Sequence, residues 1–256
     1  MSQYFILAAA VLVALPIFLF LWRRRRIAKA AQGIVRRVDS AFQANHVFRK
    51  VQAQDYPWLT ERFYTQARQE AEAAGFAWLA DIEDETLSAT YPNLRTFVRI
   101  LLGPDHRTRA AVYEIVPGGP QGKPTRAPVQ TRELISEASD GATLTTTTAQ
   151  TSNLLNPPPG TVRRHVSADT PLKAMLATHR QAIDDYLSAH PGVFLKEIRS
   201  FEQATAAWQK SIDRQREKLQ AQGGLGQDEM VRFGGKDREK LAVEVHEQMR
   251  KIKKDQ

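Results

Sequence analysis

Nineteen consecutive residues, Tyr4 to Trp22 (YFILAAAVLVALPIFLFLW), carry no charge and no strongly polar side chain, and Arg23, Arg24, Arg25 and Arg26 follow at once. At ~1.5 Å per residue a helix of this length crosses a ~30 Å hydrocarbon core. Tyr4 and Trp22 stand at the two ends, where amphipathic rings prefer the headgroup level. A cleavable signal would need a basic residue before the apolar run and a small-residue cleavage site after it. Met1-Ser2-Gln3 precedes this one and four arginines follow it, so the expectation is a retained, single-pass signal anchor. The positive-inside rule puts the arginines in the cytoplasm, with residues 1–3 outside and the body inside a bacterial-type inner membrane. Pro16 is tolerable within such a span, and no ionisable residue in it suggests a proton or ion path.

The net charge of +8 suggests nucleic acid until it is located. Arg23–Arg26, Lys29, Arg36, Arg37, Arg49 and Lys50 stand against Asp39 alone between positions 23 and 51, which accounts for the whole excess. A nucleic-acid-binding domain would spread its cations over its own surface. A patch facing an anionic inner leaflet needs them here, so lipid is the expected partner and no specific nucleic acid is. Ile27, Ala31, Ile34, Val38 and Ala41 or Phe42 recur at steps of three and four, so helix is expected to continue through 23–54. Two readings of this segment stand: a basic amphipathic helix on the leaflet, or a stalk whose apolar side packs on the rest of the chain. The charge localisation favours the first.

The body reads as an α+β domain over 55–192. Asp55-Tyr56-Pro57 signals a helix over 57–74 with Leu59, Phe63, Ala67, Ala71 and Ala74 on one face, stopped by Gly75. Phe76–Ile82 is strand-like and runs into the acidic Asp81–Glu85. Thr96–Leu102 and Arg109–Val116 flank the turn Gly103–His106, and Arg132–Ala138 and Ala142–Thr148 flank Asp140-Gly141. These segments predict an antiparallel meander of four or five strands. Pro117–Pro128 reads as a loop and Asn156–Gly160 as a breaker. Thr170-Pro171 opens a helix bearing Leu172, Met175, Leu176, His179 and Ile183, closed by His190-Pro191-Gly192; this helix and the first are expected to cover one face of the sheet. Ser200–Gln203 is a capping-box pattern opening an amphipathic helix over 193–222. A Gly-rich linker is expected over 223–236 and a last helix over 237–256. Phe201, Trp208, Ile212 and Leu219 on one helix, with Leu241, Val245, Met249 and Ile252 on the other, form apolar seams suited to a protein partner or self-association.

No catalytic, cofactor or metal residue is assigned. Cysteine is absent, which excludes disulfides, thiolate-held metals and thiol catalysis. Gly118–Thr125 resembles a phosphate-binding loop but has Pro117 where the first glycine belongs and Pro124 where Ser or Thr belongs. Asp81, Glu83, Asp84 and Glu85 lack the spacing of a calcium loop and read as a solvated turn or partner surface. The six histidines show no metal-type pairing; His179 reads as a hydrogen-bonded core residue, and His106 as an exposed one near carboxylates. The expected function is therefore a membrane-anchored binding or assembly module without evident catalysis. The alternative is a tethered enzyme using carboxylates or histidine in the sheet region.

Overall fold

The computed structural model describes residues 2–43, 45–90, 96–115, 128–149, 155–234 and 239–254; the side chains of residues 2–21, 233–234 and 254 lie outside the described residues. The Gly118–Thr125 stretch also falls outside them. The chain divides into two compact units, residues 41–218 and residues 1–40 with 219–256.

The larger unit is α+β. Its sheet has seven strands in sequence order: β1 Phe48–Lys50, β2 Ala77–Asp84, β3 Val98–Leu102, β4 Thr108–Ile115, β5 Val129–Glu137, β6 Thr143–Thr147 and β7 Thr161–His165. Every neighbouring pair is antiparallel except β6 and β7, which are parallel. The meander is thus longer than the four or five strands expected. Three residues are too few to show an alternating pattern in β1, and β7 carries Arg163 and Arg164, which hide it. Both expected hairpins form. At the first turn a Cβ on Gly103 would lie 3.0 Å from Asp105 Oδ1 and Thr108 O, so a larger residue would press on the turn. Asp105 Oδ1 accepts from the N–H groups of Arg107 and Thr108, and His106 takes the left-handed conformation at φ 54°. At the second turn Gly141 has φ 95°.

Alternation along the strands makes two covered faces. On one, Leu101, Ala110, Val112 and Leu134 pack with Tyr64, Ala67 and Ala71 of α2 (Glu61–Ala73) and Leu172, Met175 and Leu176 of α4 (Leu172–Ala189). The two helices share that face as expected. On the other face, Ala80, Ile82, Val98, Ile100 and Ala111 meet Phe201 and Trp208 of α5 (Phe201–Ala221). Ser200 caps α5: its Oγ accepts from Gln203 N–H at 3.2 Å while Gln203 Oε1 accepts from Arg199 N–H at 2.7 Å.

The first helix of this unit starts later than Asp55-Tyr56-Pro57 suggests. Residues 53–55 form a 3-10 turn, Thr60 is the N-cap of α2, and Tyr56 is buried with its hydroxyl on Glu83. Anchoring that ring in the core keeps 56–60 out of helical geometry. The acidic run is likewise no solvated turn: Asp81–Asp84 complete β2, and Glu85 opens the short α3 (Glu85–Thr90).

The second unit is helical, built from α1 (Ser2–Ala41), α6 (Gln227–Gly234) and α7 (Glu239–Lys254) with the end of α5. Ala31 and Val35 of α1 are buried, as are Ala242, Val245 and Met249 of α7. Arg23 pairs with Glu244 at 2.5 Å and Lys253 with Asp39 at 3.0 Å. Of the apolar stripe after the arginines, Ala31 is buried and Ile27, Ile34 and Val38 are half-buried. Within 223–236, Gln227–Gly234 is helix rather than linker: buried Glu229 accepts from Gly226 N–H at 2.6 Å, closing a cap at its start. Among the described residues no helix is long and apolar enough to cross a membrane. The side chains of Tyr4 to Leu21, where the sequence sets its apolar run, are outside that statement.

Candidate functional site

A cleft of about 430 Å³ opens beside α2, lined by Tyr56, Pro57, Leu59, Glu61, Tyr64 and Arg99 with Ala53, Gln54 and Thr65. Its floor follows from strand register. Asp81 of β2 stands directly opposite Arg99 of β3, and Arg49 of β1 opposite Glu83 of β2. Arg99 donates through Nε and Nη2 to the two oxygens of Asp81, both at 2.8 Å, a fork-to-fork pair. That bond, ahead of the cost of burial, raises the Arg99 pKa. The guanidinium carbon lies 5.6 Å from the Tyr64 ring centroid and 6.0 Å from that of Phe97. Tyr56 donates its hydroxyl to Glu83 Oε2 at 2.6 Å, and Arg49 reaches the same oxygen at 3.3 Å. Tyr56, Trp58, Phe63, Tyr64 and Phe97 form a chain of ring contacts behind the cleft, with centroids 5.1 to 5.8 Å apart.

Every charge in this floor is engaged by another protein group. Burial first, then the Glu114 carboxylate, pushes Tyr64 well above the ordinary phenol range, so it stays protonated. The arrangement offers aromatic walls and fixed polar groups, which is binding chemistry.

The four acidic residues do not converge. Asp81 and Glu83 point to the α2 face, whereas Asp84 lies on the α5 face, where its Oδ2 is 2.6 Å from His46 Nδ1. His46 is buried, donates its backbone N–H to Gln209 Oε1, and its Nε2 has no hydrogen-bond partner among the described residues. A carboxylate-oriented imidazole is one part of a catalytic relay, which needs a nucleophile besides. Among the described residues no group of three or more His, Asp or Glu is placed to hold a metal. His106 is exposed in its turn. Ser136 Oγ is 3.0 Å from His179 Nε2, while Thr146 Oγ1 is 3.1 Å from Nδ1. His179 is fully buried, and desolvation lowers its pKa to about 4. It is the hydrogen-bonded core histidine expected.

Under α5 lies a second polar layer that sequence reasoning missed. Arg109 is 4% exposed, its Nη2 is 3.5 Å from Glu137 Oε1, and its Nε and Nη1 have no hydrogen-bond partner among the described residues. Burial lowers its pKa, against the pull of Glu137 and Glu133. Arg214 of α5 donates to Gly141 O and Thr143 Oγ1. Glu133 accepts from Thr147 Oγ1 at 2.8 Å, and burial raises its carboxyl in spite of that bond and of Arg163.

The residues expected at partner surfaces are placed as follows. Phe201 and Trp208 face the sheet, Leu219, Val245 and Met249 are buried, Ile212 and Ile252 are half-buried, and Leu241 is exposed. The seams are thus largely used within the chain. Of the membrane-interface set, Trp22, Arg23, Arg24, Arg25, Arg26, Lys29, Arg36 and Arg37 are all exposed, and the side chain of Tyr4 lies outside the described residues. No family model, curated protein or solved structure matches the chain.

Proposed function

We propose that the protein is a single-pass, membrane-anchored binding module, with its N-terminus outside and residues 41–218 presented to the cytoplasm of a bacterial-type cell. The observation that carries this reading is the continuity of α1 from Ser2 to Ala41, which sets the apolar run and the exposed arginines on one helix. Such a helix supplies an apolar span of ~28 Å and, at its inner end, a cationic collar of about 1 kcal/mol per residue toward an anionic leaflet. The working surface in this reading is the cleft at Tyr56, Leu59, Tyr64 and Arg99, whose aromatic walls and internally neutralised charges suit a peptide segment of a partner protein.

A photocrosslinker at Thr65, an exposed residue of the cleft, tests it in native membranes, with the same probe at Lys173 on α4 as control. A discrete protein adduct from position 65, absent from 173 and lost in Leu59→Asp, is expected. Equal labelling from both positions, or none from 65, overturns the cleft as the surface. Protease added to intact spheroplasts should leave 41–256 untouched; digestion there overturns the orientation.

One observation favours a second reading, a tethered enzyme: the His46–Asp84 pair with an unpartnered Nε2. Activity on any substrate that His46→Gln abolished while the fold survived would move the assignment to it.

A further inference from the structure

The sheet of the larger unit has two edges, and they differ. β7 pairs only with β6 among the described residues and carries Arg163 and Arg164; charged side chains on an edge discourage a further strand. The other edge is only half covered. β1 pairs with Ile82, Glu83 and Asp84 of β2, Val51 N–H adds one bond to Asp81 O, and the chain then leaves into the 3-10 turn at 53–55. Among the described residues no strand lies outside Ala77–Ala80, a stretch (AWLA) without charge. Trp78 is 55% exposed there, and Ala77 is exposed as well. The register against β3 passes from Trp78 opposite Leu101 to Ala80 opposite Ile100, so Leu79 is the extra residue of a bulge. The bulge sets Trp78 on the face that carries Asp81, and the indole N–H donates to Asp81 Oδ1 at 3.4 Å. Asp81 is the partner of Arg99 in the floor of the cleft, so the uncovered edge and the cleft are continuous.

We propose that Ala77–Ala80 accept an extended segment of a partner protein as an added antiparallel strand in line with β1, with an apolar side chain of that segment lying over Trp78. An added strand gains main-chain hydrogen bonds that depend little on its sequence, while its side chains at alternate positions set the choice of partner. The inference rests on the reading of the cleft as a surface for a partner peptide. It adds how that peptide is held: one part in the cleft, the adjoining part on β2. At ~3.3 Å per residue the open stretch is ~13 Å long and closed at one end by β1, which leaves room for one short strand. A second copy presenting the same stretch would bring its own β1 and 3-10 turn to the contact, whereas a peptide brings only its backbone. An uncharged edge beside an exposed tryptophan, with the charges of the cleft floor already paired, suits an apolar segment.

The test places a photocrosslinker at Ala77 of the full chain in native membranes, beside the probe at Thr65, and follows hydrogen exchange at residues 77–80 in the purified adduct. The same partner is expected from both positions. Amides within 77–80 should exchange about tenfold more slowly in the adduct than in the free protein. Trp78→Lys should lower the yield at both positions about tenfold. Phe194→Lys, a change at another apolar residue, 64% exposed beyond the end of α4, should leave the yield unchanged. Unchanged exchange at 77–80, or a yield indifferent to Trp78→Lys, overturns the added strand. Adduct from 65 with none from 77 overturns the edge and leaves the cleft standing, whereas adduct from 77 alone, with slowed exchange, keeps the edge and overturns the cleft. An adduct from 77 that joins two copies of this chain overturns the partner segment as occupant. Absence of adducts from both positions overturns the cleft and this inference together.

Discussion

On the α2–α4 face of the sheet, Leu101, Val112 and Leu134 meet Tyr64, Met175 and Leu176, and the polar groups that enter are paired: His179 with Ser136 and Thr146, Arg99 with Asp81. On the α5 face, the half under Phe201 and Trp208 is apolar, but toward β4 to β6 it becomes ionic. There Arg109 Nε and Nη1, Arg214 Nε and Gln215 Nε2 are buried without a hydrogen-bond partner among the described residues. A buried donor left unsatisfied costs about 1–3 kcal/mol, so the polar groups of the two faces contribute to stability in opposite senses. The first is a core whose polar members are fitted to it. The second holds charges that packing tolerates.

The largest effect belongs to the first face. Leu101→Ala empties a fully buried position and should cost about 2–5 kcal/mol, read as a lower urea midpoint at unchanged slope. A cost no greater than that of Arg109→Met would break the distinction between the faces.

The next tests His179. Its folded pKa, about 4, lies below the ordinary 6.5, so between those values the unfolded chain binds a proton that the folded chain refuses. Stability is therefore whole above pH ~6.5 and falls as the pH drops toward ~4, by about 1.4 kcal/mol per unit and ~3 kcal/mol in all. His179→Gln should flatten that slope whatever it does to the stability at neutral pH. An unchanged slope in urea titrations across this window would assign the dependence to other groups.

The smallest effect carries the opposite sign. Replacing the Arg109–Glu137 pair by Met and Leu removes two desolvated charges and the orphan donors together, and should leave stability unchanged or raise it by about 1–2 kcal/mol. A loss above about 2 kcal/mol in thermal or urea melts would show that the pair holds the α5 face together, on the scale expected for breaking a buried pair.

Much of the fold was legible because local chemistry sets it. Gly103–His106 and Asp140-Gly141 turn where glycine or a short polar side chain is needed, and the 3.6-residue period of 172–187 marks α4. The candidate site was far less so. Arg99 stands far along the chain from Tyr56 and Tyr64, the three carry no motif, and only the pairing of β2 with β3 sets Asp81 against Arg99. His46 is an unremarkable histidine until β1 brings it to Asp84. The available signal was the spacing in Asp81–Asp84, since a strand sends Asp81 and Glu83, at alternate positions, to one face and the adjacent Asp84 to the other. The helix-start signal at 55–57 failed because a buried tyrosine outweighs a capping preference of about 1 kcal/mol.

By itself the sequence determined the two hairpin turns, α4 and the cap of α5, the uncharged run at 4–22 and the concentration of all net charge just behind it, because these depend on residues close along the chain. Tertiary structure alone decided which charges are paired, which stay orphaned and which apolar seams are spent inside the molecule. The physical reason is register: one position of slip along a strand reverses every side chain, and no local pattern in this chain specifies which residue of β3 or β6 stands opposite which residue of its neighbour.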